Sequence, residues 1–318
     1  MALLISLIAY ATSTLTITAT TDKQTYNVGE TVKISGNLTL NGTLVPDALV
    51  AVQVDDPKGS LHTIRTCFTG SPSVGNLTIE VLQVYLSDEM GKPRSSVSRG
   101  KLAYFTIIWR NNDNVSHEAS ITLNLYYGNA VPFLAFVPFT GEVPANKTQN
   151  MTATVPIPTD ASVGDATVYA AAFTSLPKYG GLAYCPEKSS IFTITASSGT
   201  TFPTGGPLVT PQSAEGTYDL IFNLLRTGGK LGNYAIYATC QHQGKQAAAT
   251  NTFKVVLVGD LNIDGVVDMK DITTILRAYG STPGQPKWNP NCDVNGDDIV
   301  DMKDITIVLR NYGNNGTY

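Results

Sequence analysis

The chain is short of charge, of histidine and of paired cysteines, and each shortage closes off a class of function. Charged side chains make up only 14% of its 318 residues. Before Asp260 the sixteen acidic and sixteen basic groups balance, and no lysine- or arginine-rich run is present to neutralise phosphates, so nucleic acid is not an expected partner. His62, His117 and His242 stand far apart, and Cys67, Cys185, Cys240 and Cys292 include no Cys-x-x-Cys pair, which argues against zinc. Long apolar runs are missing too. The opening Met1–Tyr10, broken by Ser6, falls short of the roughly 20 residues that span a bilayer. It fits the h-region of a secretory signal, with Ala11-Thr12-Ser13 as a small-residue cleavage site, although the basic n-region is absent. The plainer reading is a hydrophobic first strand.

A glycoside-hydrolysing site needs two carboxylates flanking a cleft. The acids of the body, such as Asp55-Asp56, Asp88-Glu89, Asp160 and Asp165, sit beside turns and read as solvated turn residues. The chain is therefore expected not to be an enzyme. Trp109 reads as a buried strand tryptophan rather than a sugar platform. Tyr126 and Tyr127 point to opposite faces of a strand, so at most one of them is expected at the surface, and a surface glycan is the weaker of the partner expectations.

What the chain has in quantity is threonine, serine, glycine, asparagine and valine, a mixture that favours strands and turns. Asn37, Asn41, Asn76, Asn114, Asn146, Asn150 and Asn315 each open an Asn-x-Ser/Thr sequon, in keeping with export to the cell surface or medium. From Leu15 to Gly70 four alternating runs are separated by turn signals, with Asn41-Gly42 marking a hairpin. Asn76 to about Ser198 supplies six or seven strands, enough for a complete sandwich. Thr201 to Val258 supplies only three. Neither flank makes a sandwich alone, so residues 14–72 and 200–258 are expected to share one, with the sandwich of residues 74–198 inserted between its halves. Three domains in series is the alternative. In the split arrangement a Cys67–Cys240 disulfide would tie the two halves together, while Cys185 and Cys292 read as free, small apolar residues. The motif Tyr26-x-x-Gly29-Glu30-x-Val32-x-Ile34-x-Gly36 resembles the opening of immunoglobulin-like and macroglobulin-like sandwiches, and the inserted block resembles adhesion-type sandwiches of archaeal and bacterial surface proteins. Both resemblances imply a fold and no activity.

The acidity is concentrated at the end. Nine aspartates and five basic residues follow from Asp260 onward, giving a net charge of −4 there. Residues 260–280, DLNIDGVVDMKDITTILRAYG, and 293–313, DVNGDDIVDMKDITIVLRNYG, align without gaps at 14 of 21 positions. Each repeat opens with oxygen-bearing residues at the spacing by which a 12-residue loop surrounds calcium, a hard cation that takes six to eight oxygens. The first set is Asp260, Asn262, Asp264, the Val266 carbonyl, Asp268 and Asp271. The second is Asp293, Asn295, Asp297, the Ile299 carbonyl, Asp301 and Asp304. Two calcium sites are expected. Gly265 supplies the turn at position 6 of the first loop, whereas Asp298 stands there in the second, so the second site is expected to be slightly the weaker. The alternative is two Asp-rich turns that merely cap helices.

A helix is expected after each loop, with Ile272, Ile275, Leu276 and Tyr279, and again Ile305, Val308, Leu309 and Tyr312, on one face that reads as core. Gly280 and Gly313 are suitable terminators. Before Asp260 the run FKVVLVG reads as a strand, so no helix enters the first loop and the arrangement is not a full helix–loop–helix. A loop followed by a single helix, duplicated over residues 259–318, resembles a dockerin type I module, and Lys287-Trp288-Asn289-Pro290-Asn291 resembles the connector of archaeal dockerin-like domains. The resemblance implies calcium-dependent folding and a cohesin-type partner met through Met269, Lys270, Met302 and Lys303. Where many cellulosomal dockerins carry small hydroxyl residues, this chain has Met-Lys. The fold expected overall is mainly β: two immunoglobulin-like sandwiches and a small helical calcium module.

Overall fold

The computed structural model describes residues 13–70, 77–196 and 213–318. The whole apolar opening Met1–Tyr10, Asn76 of its sequon and the joins between the two sandwiches lie outside the described residues. The chain is mainly β, with helices confined to the C-terminal sixty residues apart from one short 3-10 turn.

Two sheets draw strands from both ends of the body. One is ordered Leu15–Ile17, Thr31–Leu40, Thr217–Asn223, with the short strands Thr20–Thr21 and Thr43–Leu44 also paired to the central one. The other runs Thr25–Asn27, Lys245–Val256, Gly232–His242, Leu49–Asp55, Leu61–Phe68. Thr31–Leu40 alternates buried and more open positions, as a strand with one face on the core must. Its partner across the long gap in sequence is Thr217–Asn223, antiparallel from Thr217 opposite Asn37 to Asn223 opposite Thr31. Asn41 and Gly42 both take left-handed φ values, 52° and 83°, which closes the hairpin to Thr43–Leu44. Gly36 has no room for a side chain: a Cβ there would lie 1.9 Å from the Thr18 carbonyl oxygen and 2.5 Å from the Tyr218 ring.

Between these halves stands the second sandwich. Its three-stranded sheet is Thr148–Pro156, Leu102–Asn111, Ile79–Ser87, and its five-stranded sheet is Pro132–Val143, His117–Tyr127, Gly164–Phe173, Lys188–Thr195, Ser96–Ser98. Trp109 is buried in this core, packed on Phe139 and donating its indole N–H to Gln149 Oε1 at 3.2 Å.

The two sandwiches press their sheets together. Strands Leu61–Phe68, His117–Tyr127 and Gly164–Phe173 are buried on both faces for most of their length, the condition of strands inside a stack rather than on its surface. Tyr127 serves its own sandwich, while Tyr126 packs with Tyr169 against the first, so both tyrosines are buried and neither is offered to solvent. This agrees with the expectation that at most one of the two is exposed, and the second face is covered because another sandwich packs on it. At the centre of the interface Arg65 lies 3.6 Å from the Tyr169 ring centroid and forks onto Glu187, Nε donating to Oε2 at 2.7 Å and Nη2 to Oε1. Glu187 N–H donates to Thr66 Oγ1 at 2.8 Å, closing the pair from the other side.

Two expectations are corrected here. Asp55 and Asp56 are buried, not solvated: Lys178 donates to Asp55 at 3.2 Å, and Lys230 pairs with Asp56, whose other oxygen accepts the N–H groups of Lys58 and Ser60. Cys67 and Cys240 form no disulfide. Both sit opposite the same residue, Val50, on the strands to either side of it. Two strand spacings separate them by about 10 Å, beyond the roughly 7 Å that a disulfide spans. Burial pushes both thiols up to about 12, so they stay protonated. Cys185 and Cys292 are free and buried as well.

Breaking the Arg65–Glu187 pair leaves a charge without a partner in the interface. Arg65→Ala is expected to lower the unfolding free energy by about 3–5 kcal/mol in denaturant titration, and Arg65→Met with Glu187→Leu to restore most of it.

Candidate metal centre

Four carboxylates crowded into twelve residues repel one another unless donors hold them, and the local backbone provides those donors. In the first loop Asp264 N–H donates to Asp260 Oδ1 at 3.1 Å and Asn262 Oδ1 at 2.9 Å, and Gly265 N–H donates to Asp260 Oδ2 at 2.9 Å. The second loop repeats this with Asp297 N–H on Asp293 Oδ1 at 3.1 Å and Asn295 Oδ1 at 2.9 Å, and Asp298 N–H on Asp293 Oδ2 at 2.9 Å. The twelfth-position aspartates are fully buried. Asp271 accepts the N–H groups of Leu261, Asn262 and Asp268, and Asp304 those of Val294, Asn295 and Asp301.

Asp271 and Asp304 are also the third helical residues of α1 (Met269–Ala278) and α2 (Met302–Arg310). Asp268 and Asp301 are the N-caps, each accepting the N–H two residues on at 2.7 Å, so each helix starts with a complete capping box. Loop and helix are thus one unit, in which the carboxylate closing the loop also begins the helix. Asp268 and Asp301 stand at the rim in this capping role, while Asp260, Asn262 and Asp264 are linked in one loop through the Asp264 N–H, and Asp293, Asn295 and Asp297 in the other through the Asp297 N–H. Asp293, Asp297 and Asp304 each bring an oxygen within 4.8 Å of the others. Val266 and Ile299 turn exposed side chains outward, and their N–H groups bond the carboxylates of Asp264 and Asp297. An all-oxygen, carboxylate-rich donor set of this kind suits a hard cation such as calcium.

Lys270 and Lys303 are exposed, yet each ammonium lies on its own loop, 2.8 Å from Asp264 and 2.9 Å from Asp297. These contacts hold both carboxylates below the usual range and both lysines above theirs.

The helical stripe divides. Ile272, Ile275, Ile305 and Val308 are buried between the helices. Leu276, Tyr279, Leu309 and Tyr312, expected in the core, are instead exposed, and with Met269 and Met302 they form two matching apolar faces between 42% and 60% exposed. The helices are too short and too few to cover a four-residue stripe on both sides. Gly280 follows the α1 cap residue Tyr279 with a left-handed φ of 72°, while α2 stops at Arg310 with Asn311 as its cap, so Gly313 (φ 84°) lies in the turn beyond it.

An internal twofold relates the halves. Val267 N–H donates to Asn314 O while Gly313 N–H donates to Val267 O; Val300 N–H donates to Ser281 O while Gly280 N–H donates to Val300 O. The backbone needs left-handed residues at positions 4 and 6 of each loop, and each loop has one glycine for two such places: Ile263 (φ 61°) with Gly265 in the first, Gly296 with Asp298 (φ 63°) in the second. The comparison of Gly265 with Asp298 alone is therefore incomplete, because a β-branched residue in this region is more strained than an aspartate.

The module is not a free appendage. Ile272, Ile275, Val300, Ile305 and Val308 belong to the same continuous core as Tyr26, Val28 and Phe253 of the first sandwich. Asn27 pins the joint: its Oδ1 accepts the N–H groups of Val28 and Val258, both at 3.0 Å, and its Nδ2 donates to Asn311 Oδ1 at 2.7 Å. The residues after α2 run back along the first loop, where Tyr318 OH donates to Asp260 Oδ2 at 3.1 Å. Neither Asn27 nor Tyr318 was singled out from the sequence, where nothing marks a single asparagine or a terminal tyrosine as a tether.

Residues 258–311 match the model of the dockerin type I domain family, and proteins of that family bind calcium. No curated protein matches the chain. Similar solved structures include the C-terminal domain of wzt (TM-score 0.33, 10% identity, 41% of this chain and 82% of that one). A CARDB domain from Pyrococcus furiosus in complex with di-metal ions has TM-score 0.26 and 11% identity over 39% of this chain and 100% of that one. The Pseudomonas fluorescens alkylpurine DNA glycosylase AlkC bound to DNA has TM-score 0.29 and 9% identity over 38% of this chain, and the chain covers 31% of its length.

Ile263→Gly is expected to stabilise the module by about 1 kcal/mol, since the isoleucine side chain is exposed and loses no packing, and Asp298→Gly by about half as much, both read from thermal unfolding in chelator.

Proposed function

We propose that this is a non-catalytic extracellular or cell-surface assembly protein whose C-terminal dockerin module holds two calcium ions and docks onto a cohesin-type partner. The observation that carries the reading is the duplicated oxygen-lined loop, each fused through its twelfth residue to a helix that presents an exposed apolar face, within a segment matching the dockerin family. In the first loop the side chains of Asp260, Asn262, Asp264 and Asp271 and the carbonyl of Val266 would hold the ion, with Asp268 acting through water. Asp293, Asn295, Asp297, Asp304, the Ile299 carbonyl and Asp301 do the same in the second. Calcium supplies positive charge that lets the carboxylates pack without repulsion; the chain's own part is to pre-set their oxygens through backbone N–H bonds.

Docking rests on Met269 and Leu276 of α1 with Tyr279 just after it, and on Met302 and Leu309 of α2 with Tyr312 in the turn beyond it, with Lys270 and Lys303 beside them. The internal twofold gives a partner two equivalent ways to sit. A dry apolar centre rimmed by charge is the usual composition of such an interface. The sandwiches act as the spacer that carries the module. Their largest buried aromatics, Trp109, Tyr126 and Tyr218 among them, are committed to packing rather than to a sugar-stacking surface. No helix among the described residues is long and apolar enough to cross a membrane, a statement that does not bear on β-barrels.

Calorimetric titration of the full chain is expected to give two calcium equivalents, and the double substitution Asp264→Ala, Asp297→Ala to give none. No heat from the unmodified chain would overturn the metal reading. On a panel of immobilised cohesin domains, Met269→Glu with Leu276→Glu, or Met302→Glu with Leu309→Glu, is expected to reduce capture about twofold, and all four together to abolish it; capture by none of the panel, with calcium present, counts against a cohesin-type partner.

A further inference from the structure

The internal twofold of the module breaks at one place, the residues after Asn314. The corresponding residues after Ser281 lead into the connector between the repeats. The terminal residues instead form a short strand caught between the first loop and the first sandwich. On the loop side Asn315 bridges to Val266, Gly316 N–H donates to Gly265 O at 3.0 Å, and Tyr318 OH reaches Asp260 Oδ2. On the sandwich side Gly316 and Thr317 pair in parallel with Gly229 and Lys230, Leu231 N–H donates to Thr317 O at 2.7 Å, and Gly228 N–H donates to Asn315 Oδ1 at 2.6 Å. The fit is close on both sides. A Cβ on Gly316 would come 2.7 Å from Leu231, and a Cβ on Gly265 would come 2.7 Å from the Gly316 carbonyl oxygen.

We propose that residues 315–318 form a latch that couples calcium capture by the 260–271 loop, and not by the 293–304 loop, to the seating of the docking module on the first sandwich. Tyr318 is a positioning residue: it fixes the outer oxygen of Asp260, leaving Oδ1 on the Asp264 N–H inside the loop. Asp293 has no such clamp. Its outer oxygen accepts only the Asp298 N–H among the described residues. The loop that carries the strained Ile263 is thus the one held from outside. Coupling of this kind is reciprocal: if the seated latch favours the ion, the ion favours the seated latch by the same factor. A partner drawn to the module would then meet an arm held by the latch as well as by the shared core when calcium is present, and by the shared core and Asn27 alone when it is absent.

This inference rests on the calcium reading above, and the test separates the two. Each loop is titrated alone in the full chain by silencing the other, Asp297→Ala for the first loop and Asp264→Ala for the second, with calcium followed by calorimetry. Tyr318→Phe and Gly316→Ala are expected to weaken the first loop roughly tenfold and to leave the second within twofold. In the reverse direction, hydrogen exchange at the Gly228 and Leu231 amides is expected to slow on adding calcium in the unmodified chain and in Asp297→Ala, but not in Asp264→Ala. Calcium at both loops with equal indifference to Tyr318 and Gly316, or exchange at 228 and 231 unmoved by calcium, overturns the latch alone. Calcium at neither loop overturns the metal reading and the latch with it.

Discussion

Carboxylates that must stand close together constrain this protein more than any other group. All nine aspartates after residue 259 occupy two short loops, and the folding of the last sixty residues is the solution to their repulsion. Backbone amides fold in toward Asp260 and Asp293, and Asp271 and Asp304 are buried under three amides each. Lys270 and Lys303 lean back over the rim. The helices follow from this arrangement, because the groups that tame the loops are also their first-turn caps. Intrinsic propensity would not hold helices of ten and nine residues; caps and packing must.

The second constraint is the seam between the module and the first sandwich. A unit of sixty residues has little core of its own. Here the deficit is met by sharing, since the inner faces of α1 and α2 close onto the core that Tyr26, Val28 and Phe253 begin. Sharing costs independence. The inner apolar residues are committed to the sandwich, and the outer ones, Leu276, Tyr279, Leu309 and Tyr312, are left without cover.

How much of this was legible in the residues differs by scale. Loop spacing is local, so the oxygen-bearing positions and the helix starts could be read directly, and Gly280 followed the end of α1 as expected, while α2 stopped at Arg310, short of Gly313. Strand alternation revealed the sheets for the same reason. What sequence did not disclose is whatever depends on a second surface arriving from elsewhere. Asp55 and Asp56 looked like turn acids because Lys178 and Lys230 lie over a hundred residues away. Alternation put Tyr126 and Tyr127 on opposite faces but could not show that both faces are covered, because the sheet that buries Tyr126 belongs to another domain. Cys67 and Cys240 looked like a bridge until register placed Val50 between them. Ile263 escaped notice because a left-handed backbone leaves its mark as glycine, and here the glycine was missing.

The strand Lys245–Val256 runs straight into the module through Val258, flanked by Gly232–His242 on one side and, near its end, by Thr25–Asn27 on the other. A pull applied through the helices therefore travels along that strand's own axis. Its ladder bonds are loaded sideways and must yield together rather than one after another, as they would if peeled from an edge. The sandwich beneath α1 and α2 is thereby a mechanical anchor for them, strongest along the axis of that strand.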